Sequence, residues 1–83
     1  VEAVNKDLFN IYPNPNNGSF HILFNGINEG IVRISDAQGR VVYENTFMEK
    51  AGINVQLPKV GKGLYTVQVY GKEEYTVKRV VVE

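Results

Sequence analysis

Residues 63–70 read GLYTVQVY, and Tyr65, Val67 and Val69 recur every second position. An apolar period of two is the pattern of a half-buried β-strand. The residue types agree with it, since β-branched and aromatic side chains stack well on a pleated sheet and lose rotamer freedom in a helix. Gly71-Lys72-Glu73-Glu74 turns this strand into a final one over 75–82. There the phase is divided. Tyr75 and Val77 put Arg79 inward, whereas Val80 and Val82 put Lys78 inward. A β-bulge near Lys78 and Arg79 would let both apolar pairs face the core.

The same alternation continues towards the N-terminus. Ile53, Val55 and Leu57 alternate and stop at Pro58, and 59–63 form a glycine-bearing loop. Residues 40–47 read as a strand. Before them, Asp36-Ala37-Gln38-Gly39 places Asp first and Gly fourth, a type I turn. Residues 31–35 carry Val32 and Ile34 inward after a turn at 26–30, and 19–25 (SFHILFN) put Phe20, Ile22 and Phe24 on one face. Residues 8–12 (LFNIY) form the first strand. The stretch Pro13-Asn14-Pro15-Asn16-Asn17-Gly18 ends it, because two prolines cannot donate to a ladder and Asn-Gly favours positive φ. Seven short strands and no sustained helical period predict an all-β fold. A seven-stranded antiparallel immunoglobulin-like β-sandwich suits this length better than a closed barrel.

Eighty-three residues make one domain. Nine basic and nine acidic side chains cancel, so no long-range attraction to nucleic acid or acidic lipid is expected. The chain has no Cys, hence no disulfide and no thiolate metal site. No apolar run reaches the roughly 20 residues of a membrane-spanning helix. With no starting Met and no signal peptide, the chain reads as a piece of a longer protein. Residues 1–7 read as the end of a linker, and 8–83 as the domain.

Candidate chemistry is sparse. His21 is the only histidine and lies on the polar phase of its strand, without Cys, a second His or a nearby carboxylate to make a metal or acid–base site. Ser19 and Ser35 lie in no nucleophile elbow, and Asp7 and Asp36 are too few for a calcium cage. Gly61, Gly63 and Gly71 feed no helix, so they make no phosphate cradle. Tyr12, Tyr43, Tyr65, Tyr70 and Tyr75 are enough for a stacking platform, but aromatics in alternating strands more often form core and cross-strand pairs. Asn17-Gly18-Ser19 matches a glycosylation pattern that doubles as a turn. No cofactor, metal, small-molecule substrate or catalytic residue is expected.

The punctuation residues, in order, resemble a known family. Tyr12, Pro13, Asn14 and Pro15, followed by Gly18 and Phe20, resemble the opening block of the C-terminal sorting domains of type IX secretion cargo in Bacteroidetes. Val32, Ile34, Asp36, Gly39 and Val42 match its middle block, and Val60, Gly63, Tyr65, Val67 and Val69 the third. Lys78, Arg79, Val80, Val81 and Val82 match the terminal basic-plus-apolar block. The resemblance covers nearly the whole chain, and a chain that stops just after the apolar tail is what such an address requires.

The resemblance implies a β-sandwich of the type A sorting family at the end of a secreted protein. Its partners are an N-terminal passenger, the type IX outer-membrane translocation machinery and a sortase-like protease that removes the domain. Its route is the periplasm in transit, then the cell surface or exterior. Lys78, Arg79, Val80, Val81 and Val82 are expected to be the read-out, with the last strand offering an open edge; the alternative is an ordinary core strand. Tyr12, Pro13, Asn14, Pro15 and Gly18 form either a rigid recognition turn or an ordinary tight loop. Asp36, Gly39, Gly63 and Tyr65 are assigned to the fold. A different class remains open, an accessory carbohydrate- or protein-binding module of fibronectin type with Tyr43 or Tyr70 exposed.

Overall fold

The structure, a computed structural model, describes residues 4–5 (backbone pairing only), 8–57 and 61–83. Eight strands follow in chain order: β1 Val4–Asn5, β2 Phe9–Tyr12, β3 Ser19–Phe24, β4 Glu29–Ser35, β5 Val41–Met48, β6 Gly52–Gln56, β7 Gly63–Tyr70 and β8 Glu74–Val82. Seven of them form two antiparallel sheets, ordered β8-β7-β4-β5 and β2-β3-β6. The two-residue β1 adds itself in parallel to the outer edge of β8. The expected linker end over 1–7 lies outside the described residues except at this pair. Pro58, Lys59 and Val60 also lie outside them.

The sheets face each other through the apolar phase of each strand. Phe20 and Ile22 from β3 and Val55 from β6 meet Val32 and Ile34 from β4 and Tyr65, Val67 and Val69 from β7, all buried. Phe24 stacks on Phe47 with centroids 3.9 Å apart, joining the two sheets at one end. The shortest molecular dimension, 18 Å, fits two sheets about 10 Å apart with side chains on their outer faces. The fold is the expected immunoglobulin-like sandwich. Among the described residues there is no helix.

The expected bulge in the last strand is absent. β7 and β8 pair in one unbroken register from Gly63↔Val82 to Tyr70↔Tyr75. Thr76, Val80 and Val82 are buried and Val77 is 41% exposed, so Tyr75 and Val77 lie on the outward phase despite their apolar character. Lys78 takes the inward phase at the sandwich margin. Its ammonium lies 5.4 Å from the Phe9 ring centroid and 3.4 Å from the Asn10 Oδ1, a cation resting on an aromatic face while its tip reaches a polar group. A bulge does occur, but between β4 and β5. The register passes from Ile34↔Tyr43 to Ser35↔Val41, which leaves Val42 as the extra residue and lets Val42 and Tyr43 both pack against the core.

β4 begins at Glu29, inside the expected turn over 26–30. Pairing with β5 extends the ladder through Glu29↔Met48 and Gly30↔Phe47, beyond the apolar alternation that sequence patterns report. Gly30 is wedged there. A Cβ on it would lie 2.1 Å from the Tyr70 carbonyl oxygen and 3.2 Å from the Phe47 ring.

Candidate functional site

The residues singled out at the two ends of the domain meet in space. Residues 13–18 run alongside the outer edge of β8, over its C-terminal half. The Asn14 carboxamide spans two groups of that edge: its Oδ1 accepts the Val81 N–H at 3.0 Å, and its Nδ2 donates to the Arg79 carbonyl at 3.4 Å. The backbone of Asn16 continues the ladder. Its N–H donates to the Val81 carbonyl at 3.0 Å, and its carbonyl accepts the Glu83 N–H at 2.7 Å, giving a parallel bridge Asn16↔Val82. One side-chain amide and one peptide unit thus stand in for a neighbouring strand.

The loop is shaped for this from within. Tyr12–Pro13 and Asn14–Pro15 are cis peptide bonds. Asn16, 8% exposed, ties the turn together: its Nδ2 donates to the Pro13 carbonyl at 3.0 Å and its Oδ1 accepts the Gly18 N–H at 2.8 Å. Gly18 in turn accepts the Leu57 N–H at 2.8 Å, anchoring the loop next to β6. At the other end of β8, β1 pairs with Glu74 and Tyr75, and the Leu8 N–H donates to the buried Thr76 hydroxyl. The open edge expected of the last strand is therefore closed from both ends. Buried or edge peptide groups need partners, and here the N-terminal segment supplies them.

The five tail residues divide by phase. Val80 and Val82 are core, at 0% and 4% exposure, and Lys78 leans over Phe9. Arg79 and Val81 face outward. Asn16 was not singled out from the sequence; the usable signal was a polar residue within a loop that must satisfy its own peptide groups.

The remaining motif residues hold the frame. Asp36 Oδ1 accepts the N–H groups of Gln38 and Arg40 at 3.0 and 2.9 Å, and its carbonyl accepts the Gly39 N–H at 3.0 Å. Gly39 sits at φ 87°, where a side chain would be strained. Gly63 opens β7 opposite Val82. Tyr65 is buried between the sheets, with its hydroxyl donating to the Gly61 carbonyl at 2.6 Å. His21 is exposed, contacts Asn54 through Nδ1, and lies against the Tyr12 ring. Among the described residues no group of His, Asp or Glu is placed to hold a metal ion.

Removing the Asn14 carboxamide tests the edge closure. Asn14→Ala leaves the Val81 N–H to water, and the net loss of about 1 kcal/mol usual for such bonds should speed its hydrogen exchange by roughly fivefold. Exchange at Val67, deep in the opposite register, should change far less. Equal acceleration at both would mean that the loop supports the whole fold rather than this edge.

A family model described as the secretion system C-terminal sorting domain matches residues 10–83, from β2 through the end of β8. The chain belongs to this family. A sorting domain of this kind is a signal for type IX secretion, and it implies a secretion machinery, a cargo on its N-terminal side, and export to the cell surface or beyond. The family is not a catalytic one. The match begins just before the loop and ends at Glu83, so both partners in the Asn14 and Asn16 ladder fall inside it. No curated protein matches the sorting domain as a relative.

Proposed function

We propose that this sorting domain is the type A address of a Bacteroidetes cargo and has no enzymatic activity of its own. It acts after the cargo reaches the periplasm. The outer-membrane translocation machinery takes it up, and a sortase-like protease then removes it at the cell surface. The observation that carries this reading is the convergence of the opening block on the terminal block. The Asn14 and Asn16 contacts hold residues 79–83 in one fixed shape. A receptor binds a held segment without the ordering entropy that a loose tail would lose. Lys78, Arg79, Val80, Val81 and Val82 then share the work: Val80 and Val82 anchor, and Arg79 and Val81 present.

The accessory-module reading draws less support. Tyr43 and Tyr70 are half-buried, and Tyr70 is taken up by Tyr75 at 6.1 Å between centroids and by Arg33 at 5.8 Å from its ring.

The test is a periplasmic reporter fused to the N-terminus of the 83-residue chain, in a host with the type IX machinery. Export of the reporter, with loss of the domain from the exported product, is the expected result. A reporter that stays in the periplasm overturns the reading.

A further inference from the structure

The solvated face of an antiparallel sheet is ordinarily polar. On the outer face of β7 and β8, Leu64, Val77 and Val81 are instead 46%, 41% and 38% exposed. The register sets Leu64 opposite Val81, Thr66 opposite Arg79, and Gln68 opposite Val77. Arg79 therefore stands between the Leu64–Val81 pair on one side and Val77 on the other. Of the three arginines, Arg33 is ion-paired to Glu44 and Arg40 to Asp36, while among the described residues no carboxylate pairs with Arg79. A cation flanked along its strand by Val77 and Val81, with Leu64 and Thr66 across from it, is complementary to a carboxylate set in an apolar surface.

The closed edge adds a second constraint. A partner strand cannot add to residues 79–83 while Asn14 and Asn16 occupy their peptide groups. The face is what the tail leaves accessible.

We infer that Leu64, Val77, Arg79 and Val81 form a docking face for an apolar protein surface bearing a carboxylate opposite Arg79. This rests on the sorting reading and names how the tail would be read: by its outward side chains, two of which lie beyond the terminal block or on another strand. An acidic membrane fits less well. Such surfaces attract clusters of about four to eight basic residues, and this face offers Arg79 and, across Gln68, an Arg33 already paired to Glu44.

Export of the reporter fusion, measured beside the thermal midpoint of each variant, tests the face. Arg79→Glu would set like charges against each other and should lower export roughly tenfold or more. Leu64→Asp should do the same from β7. Both should melt within a few degrees of the parent; if Leu64→Asp does not, Leu64→Ser takes its place. Gln56→Glu, exposed on the other sheet, should export normally. Undiminished export of folded Arg79→Glu and Leu64→Asp overturns the docking face while leaving the sorting reading standing. Flotation of the parent with phosphatidylglycerol vesicles, lost in Arg79→Glu, overturns it in favour of a lipid ligand. Failure of the parent itself to export overturns the sorting reading, and the docking face falls with it.

Discussion

Gly30→Ala is expected to destabilise the domain by roughly 3 kcal/mol, at the upper end of what overpacking usually does. The atom it would strike, the Tyr70 carbonyl oxygen 2.1 Å from the new Cβ, belongs to the backbone of the central strand β7. A flexible side chain moves aside at little cost; a peptide unit in a ladder does not. Relief requires β4 to move away from β7, and the Phe47 ring blocks part of that movement. For a domain of this size, the thermal midpoint should fall by roughly 10–20 °C. Gly26→Ala provides the contrast in volume, because no atom lies within 4 Å of its new Cβ and the strain there is conformational alone, at φ 75°. A Gly30→Ala midpoint within 3 °C or so of the parent would show that β4 adjusts freely.

Val80→Ala and Val81→Ala should differ sharply although the residues are neighbours of identical type. Val80 is fully buried, and deleting two methyl groups with a cavity left behind should reduce stability by roughly 2–3 kcal/mol. Val81 is 38% exposed, and its truncation should stay within about 0.5 kcal/mol. Chemical denaturation of both variants reads the difference directly. The reverse order would mean that Val81, not Val80, lies in the core, against the register of β7 and β8. The export effects should invert the stability effects, since Val81 belongs to the proposed docking face and Val80 does not.

Sequence patterning serves well where apolar residues have one place to go. Tyr65, Val67 and Val69 are buried as their spacing requires, and Phe20 and Ile22 likewise. It fails in β8 because it takes every apolar residue as an inward one. Tyr75 and Val77 lie on the outward phase, and the bulge inserted to bring them inward answers a need the molecule does not have. Gly30 reads as a turn residue because glycine beside Asn and Glu suggests a loop; its true constraint comes from Tyr70, forty positions later. The edge closure is harder still to see. Asn14 acts as a peptide group through its side chain, on a residue 67 positions away, and no local pattern encodes such a substitution. The two ends of the family motif were legible as important, but not as each other's partners.

That pairing changes what kind of signal the tail is. Residues 79–83 are held between β7 on one edge and residues 14–16, from the opposite end of the domain, on the other. A peptide copying the last ten residues would carry the same letters without the same surface. On the sorting reading, the address is therefore blank until the domain has folded, and a cargo whose terminal domain is misfolded shows the exporter nothing to recognise. The label certifies its own folding.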